Sequence, residues 1–476
     1  MSSAGVRTER SSGSTPVRGW APPPAARLAC GAVAAQLAAA LLAAAARGAE
    51  PAATPPGLVI VIGDGMGAAQ RTVAGWVTAD GWLAMDRLPV TGLMDTRNVD
   101  GEVTDSAAGA TAITCGVRTL NKRVGTDRDQ QPVASLADLA RAAGMAVGLV
   151  STTEITDATP AAVVAHVGNR SSHGDVAQQY LDAGTTLILG GGRRRFEADD
   201  KTLPAFAAAG YRVITSREVL LRLRESQVQG RAAGGRILGL FSTSAMPYLI
   251  DGDPARPALE ELAEVAVREL AGSPRGFVLL VEGARIDHAC HDNDLAAAIQ
   301  ETLELDRTVA LLLRSLAGRP NTLIVVTADH ETGGLVLGRS GSGVPKLKLA
   351  LQARHSLEWL EDEVGKRGGN LAALLVENWG LGELKPAESA LLAAKGASLG
   401  VDLELALLPG GAPQIILASR QGVLFATGGH TAAPVPVTAW GAGAEAFAGP
   451  LTNAEVGQRL MAWLRARTAA AARTGS

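Results

Sequence analysis

Aromatic side chains are scarce, at 3% of the chain, and only 3 cysteines are present. The alanine and glycine that abound instead mark a GC-rich coding sequence rather than a special fold. Beyond the N-terminal region only Cys115 and Cys290 remain, too few for a disulfide framework; export would permit a bridge without requiring one. Excess charge of one sign is also missing, since the net charge is -3. That balance gives no sign of nucleic-acid recognition or of a polybasic membrane surface. No Lys-Ser/Thr follows Gly190-Gly-Gly192 at the spacing of a phosphate-cradling loop, so this triplet is read as a strand-to-loop turn. Nothing after the N-terminal region is long and apolar enough to span a bilayer.

The N-terminal region is distinctive. Arg7, Arg10, Arg18 and Arg27 precede an Ala/Leu run from Leu28 to Ala46, and Ala46-Arg-Gly-Ala-Glu50 follows. This is the order of a secretory signal: basic stretch, apolar stretch, small-residue cleavage zone. Residues 1–48 are therefore assigned to a signal peptide and 49–57 to a linker. A retained signal anchor is the alternative, because the run is long and contains Gln36. There is no twin-arginine pair, and Cys30 stands in a poor lipoprotein context. The expected location is periplasmic or extracellular, with no membrane span after cleavage.

Short, wholly apolar runs follow at Leu58–Ile62, Ala146–Val150, Thr186–Leu189, Gly276–Val281 and Leu323–Thr327, separated by helix-like segments. Such runs are buried parallel strands. The fold class is α/β: a doubly wound, mostly parallel central sheet with helices on both faces. Between about Ser340 and Gln421 the texture turns mostly helical, and the sheet is expected to resume at Gln421–Phe425. Boundaries are set at 58–465 for the main domain, with a 341–420 accessory insertion and a 466–476 tail read as disordered beyond Arg467. A capping box at Thr452-Asn-Ala-Glu455 starts the last helix.

The strand ends carry the chemistry. Gly63-Asp64-Gly-Met-Gly67 follows the first strand, Ser151 to Thr159 the second, Glu282 to His291 the Phe277 strand, and Ala328-Asp329-His330 the Leu323 strand. Ligands in doubly wound sheets bind outside these carboxyl ends. Asp287 and His291, four apart, share one helical face. Mixed imidazole and carboxylate donors suit a zinc-like ion, while Asp64, Glu282 and the Thr159 hydroxyl suit a harder one.

In Val103-Thr-Asp-Ser-Ala-Ala-Gly-Ala-Thr-Ala-Ile-Thr-Cys115, Thr104 and Asp105 resemble an N-cap, which puts Ser106 in a first helical turn beside free backbone N–H groups. That position suits attack on an anion. A serine hydroxyl needs activation, yet Ser106 lies in no Gly-x-Ser-x-Gly elbow and has no nearby histidine in sequence. A metal close to Ser106 would lower its hydroxyl pKa and remove the need for one.

Taken together, Gly63–Gly67, Thr104–Thr111, Asp157–Ala162, Val164–Arg170, Val281–His288, Thr327–His330 and Gly429–Thr431 resemble the alkaline phosphatase family in residues, order and spacing. The resemblance runs from about Leu58 to Trp440, apart from the Ser340–Gln421 block. It implies hydrolysis of phosphate monoesters through a covalent phosphoseryl intermediate on Ser106, with Arg170 clamping the phosphate. It implies two Zn2+ and one Mg2+: Asp287, His291 and His430 for one zinc; Asp64, Asp329 and His330 for the other; Asp64, Thr159 and Glu282 for magnesium, with Asp157 acting through its waters. A homodimer is implied as well. His288 stands where the family carries lysine or histidine, and the histidine is expected to bias the third site toward another ion or to change the pH profile. Ala432 and Ala433 replace a common glycine after His430-Thr431.

Several residues have plainer readings. Cys115 is expected to be a buried thiol, and Cys290 needs no ligand role. His166 and His173 are taken as packing or surface residues, and Arg193–Arg195 as a solvated charge run. Rival functions are a phosphodiesterase or sulfatase on a related scaffold, and a noncatalytic metal-binding or adhesive protein.

Overall fold

Residues Leu58 to Ile62 carry no polar side chain, so they can only settle as a strand covered on both faces. In the computed structural model, which describes residues 54–230, 234–338, 347–367, 370–393 and 411–474, they lie at the centre of a ten-stranded sheet. The strands are β1 (Gly57–Gly63), β2 (Val90–Asp95), β3 (Ala146–Glu154), β4 (Leu187–Gly191), β5 (Tyr211–Ile214), β6 (Arg236–Leu240), β7 (Phe277–Gly283) and β8 (Thr322–Thr327). They continue with β9 (Glu331–Thr332), β10 (Leu335–Leu337), β11 (Val423–Phe425), β12 (His430–Thr431), β13 (Val435–Gly441) and β14 (Gly449–Thr452). The order in the main sheet is β14-β2-β13-β8-β1-β7-β3-β4-β6-β5. Pairing is parallel except where β13 runs against β2 and β8. Strands β1, β7 and β8 are buried at every position, the reason their sequences are unbroken apolar runs.

Register sets the functional level. Ile62 stands opposite both Glu282 and Thr327, and Ser151 opposite Glu282. The neighbouring strands β8, β1, β7 and β3 thus end together, and the chain beyond each end carries a carboxylate to the same rim. The assignment to the α/β class holds.

Three local expectations need correction. The Val423–Phe425 strand does not rejoin the main sheet but pairs antiparallel with β10 in a separate ribbon; the main sheet resumes at β13. The last helix spans Asn453–Thr474, so residues beyond Arg467 continue it instead of forming an irregular tail. The Thr452 hydroxyl accepts from the Glu455 N–H at 3.2 Å and the Glu455 carboxylate from the Thr452 N–H at 2.7 Å, the reciprocal cap that its sequence announces. Arg194 and Arg195 are not simply solvated: both donate through Nε, at 2.6 Å, to the buried Glu154 at the end of β3.

Between β10 and β11 lie helices at Lys348–Gln352, Leu357–Arg367, Leu371–Trp379, Pro386–Ala393 and Ala412–Gln421. Leu357, Leu360, Leu375, Trp379, Ile416 and Leu417 give them an apolar cluster of their own. The signal region 1–48 lies outside the described residues, as do parts of the linker, the insertion and the tail. No helix among the described residues is long and apolar enough to cross a membrane.

Candidate metal centre and active site

Ser106 is the first residue of the helix Ser106–Cys115 and is 3% exposed. Asp105 is its N-cap, accepting from Ala108 N–H at 3.0 Å, a bond worth about 1 kcal/mol to such a helix. The other Asp105 oxygen accepts from Lys122 N–H at 2.9 Å and from Arg170 at 3.4 Å. The cap therefore also ties the serine to the arginine. Arg170 donates a further bond, at 2.9 Å, to Asp157, which caps the helix Ala158–Val164. Burial works against the Arg170 charge, but Asp157 and Asp105 outweigh it and keep the guanidinium firmly protonated.

Ser106 Oγ lies 3.4 Å from His330 Nε2. Thr332 Oγ1 lies 2.5 Å from Asp287 Oδ1 and 3.2 Å from His330 Nδ1. A carboxylate only accepts, so the hydroxyl proton goes to Asp287 and the hydroxyl accepts from Nδ1–H. The lone pair of His330 is then on Nε2. It faces Asp329 Oδ2 at 3.2 Å and Asp64 Oδ1 at 3.6 Å, and both of these buried oxygens lack a hydrogen-bond partner.

A second convergence lies beside it. His291 Nδ1 is 2.7 Å from Gly428 O and His430 Nδ1 is 2.9 Å from Thr104 O, which places the Nδ1 protons. The two Nε2 atoms then meet at 3.0 Å, with Asp287 oxygens 3.3 Å from His291 Nε2 and 3.7 Å from His430 Nε2. Lone pairs this close need a cation or shared protons between them. Asp287, His291 and His430 form one candidate metal group, and Asp64, Asp287 and His330 another. Asp329 reaches the second group through its contact with His330, and Asp287 borders both.

The oxygen set is less tightly drawn. Thr159 Oγ1 is buried without a hydrogen-bond partner, and Glu282 accepts from Ser151 Oγ at 2.5 Å. Burial and the charges of Asp329, Asp287 and Glu282 push the Asp64 carboxyl well up. Burial likewise raises Glu282 to about 8 and Asp329 to about 7. The hydrogen bond to Asp287 raises His291 to about 9. Left to its own groups, the cluster balances its charge with protons, which cations would displace.

Backbone geometry leaves room for this crowding. At Gly65, with φ of +71°, a Cβ would come within 2.8 Å of Asp287 Oδ1; at Gly67 it would meet Glu331 Cγ at 2.3 Å. His288 turns its Nδ1 to Arg285 at 2.8 Å. His166 bridges Gly125 O and Asp138, and His173 contacts Thr156; neither joins the cluster. Cys115 and Cys290 are free and buried, and burial pushes the Cys115 thiol up to about 12.

The sequence reading missed the supports. Thr332 lies two residues past His330 on a strand, where period-two geometry returns to one face. Ser151 was findable from its place directly after the apolar run of β3. Glu331 accepts from Gln70 at 2.7 Å and from the Thr431 hydroxyl, joining β9 to β12, so that the His330 and His430 rings stack at 3.6 Å.

Comparison with known proteins settles the ancestry of this arrangement. The family model described as alkaline phosphatase matches residues 57–466. The chain belongs to the alkaline phosphatase family. Alkaline phosphatase 3 of Bacillus subtilis is 30% identical over 421 residues, covering 85% of this chain and 87% of the relative. The crystal structure of a cold-active alkaline phosphatase from a psychrophilic Shewanella aligns with a TM-score of 0.74 at 30% identity, covering 86% of this chain and 99% of that one. The Thermus thermophilus alkaline phosphatase structure gives 0.74 at 31%, covering 87% and 92%. The protein is accordingly an α/β phosphoric monoester hydrolase.

Proposed function

We propose that the chain is an exported, metal-dependent alkaline phosphatase that hydrolyses phosphate monoesters through a phosphoserine on Ser106. The observation that carries this reading is the convergence of imidazole nitrogens and orphaned carboxylate oxygens beside the serine hydroxyl. Asp287, His291 and His430 would hold one zinc, Asp64, Asp329 and His330 the other, and Asp64, Thr159 and Glu282 magnesium, with Asp157 nearby. When bound, these ions supply Lewis-acid stabilisation of charged oxygens and ease ionisation of the hydroxyl.

The remaining steps belong to the chain's own residues. Arg170 offers two N–H groups to phosphoryl oxygens and is held for the purpose by Asp105 and Asp157. Ser106 Oγ bonds to phosphorus as the ester P–O bond breaks and the alcohol leaves. Water then attacks the phosphoserine, releasing inorganic phosphate and restoring the hydroxyl. The N-terminal end of the Ser106 helix favours the negative charge throughout.

The 3.4 Å contact between Ser106 and His330 also permits a second reading, a serine–histidine pair in which the imidazole is the base. The same nitrogen faces two carboxylates, a setting such a pair does not need. One experiment separates the alternatives: hydrolysis of a chromogenic phosphate monoester, the matching diester and the sulfate, before and after chelation. Monoester preference, lost on chelation and restored by zinc with magnesium, supports the proposal. Activity that survives complete chelation points to the histidine base, and a diester or sulfate preference moves the function to a sister enzyme. Export and homodimer formation complete the proposal and are checked by N-terminal sequencing of secreted protein and by sedimentation.

A further inference from the structure

Arg285 is a buried cation that the phosphatase reading does not use. It is 4% exposed and opens the helix Arg285–His291, which also carries Asp287 and His291. Its NH1 donates to His288 Nδ1 at 2.8 Å and its NH2 to Glu358 Oε2 at 2.7 Å. The guanidinium lies 3.6 Å over the Tyr248 ring, and the Tyr248 hydroxyl donates to Asp292 at 3.3 Å. Glu358 belongs to the first turn of the accessory helix Leu357–Arg367. The chain entering that helix is pinned: Ser356 donates twice to Asp251, at 2.7 and 2.9 Å, and Leu357 N–H donates to Asp294 at 2.6 Å.

A guanidinium has donors and no acceptor, so the imidazole nitrogen facing it must present a lone pair. Neutral His288 then carries its proton on Nε2, which has no hydrogen-bond partner among the described residues. We propose that Arg285, set in place by Glu358 of the accessory helices, is a positioning residue that fixes His288, between Asp287 and His291 on one short helix, as its Nε2–H tautomer. The effect on turnover rests on the proposed phosphatase reading; the tautomer does not. The accessory helices thereby act on the site through one side chain.

The test uses the full metal-loaded chain labelled with 15N at histidine, with His288 assigned through His288→Gln. Long-range 1H–15N spectra should show Nδ1 unprotonated and Nε2 protonated in the unsubstituted protein. In Arg285→Met the ring should become a tautomeric mixture, with kcat falling about 10-fold and KM changing less, as for loss of other residues that orient a site. Arg285→Lys, which keeps one donor, should recover part of both signals. Glu358→Ala, at a half-exposed side chain, should shift both in the same direction but less, and it carries the test if Arg285→Met does not fold. An Nδ1–H tautomer in the unsubstituted protein, or an unchanged tautomer in folded Arg285→Met or Glu358→Ala, overturns the proposal. The stated tautomer without any monoester turnover supports the Arg285 assignment while sinking the phosphatase reading.

Discussion

Two groups of buried charge in this molecule are built on opposite plans. Below the accessory helices, Arg256 donates Nε to Pro247 O at 2.7 Å, two 2.7 Å bonds to Glu304 and a 3.4 Å bond to Glu301. The remaining carboxylate capacity is taken up by Leu249 N–H at 2.7 Å and Leu259 N–H at 3.0 Å. Every polar atom of the three side chains has a partner. At the strand ends, by contrast, Asp64, Asp157, Glu282, Asp287 and Asp329 gather around one arginine, and Asp64 Oδ1, Asp329 Oδ2 and Thr159 Oγ1 are left without hydrogen bonds. Buried charge that the chain satisfies itself holds the fold. Buried charge left short by the chain is, on the proposed reading, fitted to cations supplied from outside.

Substitutions can break or sharpen this contrast. The largest effect is expected from Ser106→Ala, which should lower monoester turnover by on the order of 10^4-fold or more while leaving metal content and melting temperature unchanged; a steady-state assay with elemental analysis checks it. Asp64→Asn should abolish most activity, yet stabilise the chelated protein by about 1 kcal/mol, because a neutral amide escapes the burial and like-charge cost that raises the Asp64 carboxyl. Thermal unfolding of chelated and metal-loaded forms reads that reversal of sign. Arg256→Met should do the opposite, costing about 3–5 kcal/mol with no loss of bound metal, because it strands two carboxylates.

A smaller effect concerns pH. Burial and the Glu304 charge raise the Glu301 carboxyl to about 7 despite Arg256. The folded state then holds a proton that the unfolded chain, with a carboxyl near 4.5, releases. Its contribution to stability is full below about 4.5 and is lost as pH rises through about 7. Denaturation of metal-loaded protein should show this decline, and Glu301→Gln should flatten it. Smallest of all, Arg222→Ala breaks an exposed pair with Glu218 and should change stability by no more than about 0.5 kcal/mol.

The same contrast explains what could be read from the sequence. Asp287 and His291 announce themselves by helical spacing, and Asp64, Glu282, Asp329 and His330 by their places after apolar strands. The central strands were legible because burial on both faces leaves an unbroken apolar signature. The orientation of the imidazoles was not, since Gly428 O and Thr104 O are backbone groups and leave no mark in the sequence. Thr332 and Ser151 are ordinary hydroxyl residues whose carboxylate partners, Asp287 and Glu282, are distant in the chain. Glu154 claims Arg194 and Arg195 across two strands, a tertiary contact that local charge patterning misreads as solvation. The two-strand ribbon of β10 and β11 escaped notice because an apolar triplet does not reveal which neighbour it will meet.

Counting the metals in purified, active protein by elemental analysis tests the central claim most directly. The account predicts two zinc and one magnesium per chain, with zinc and activity falling together in His291→Ala. Full monoesterase activity in protein that binds no metal would contradict it.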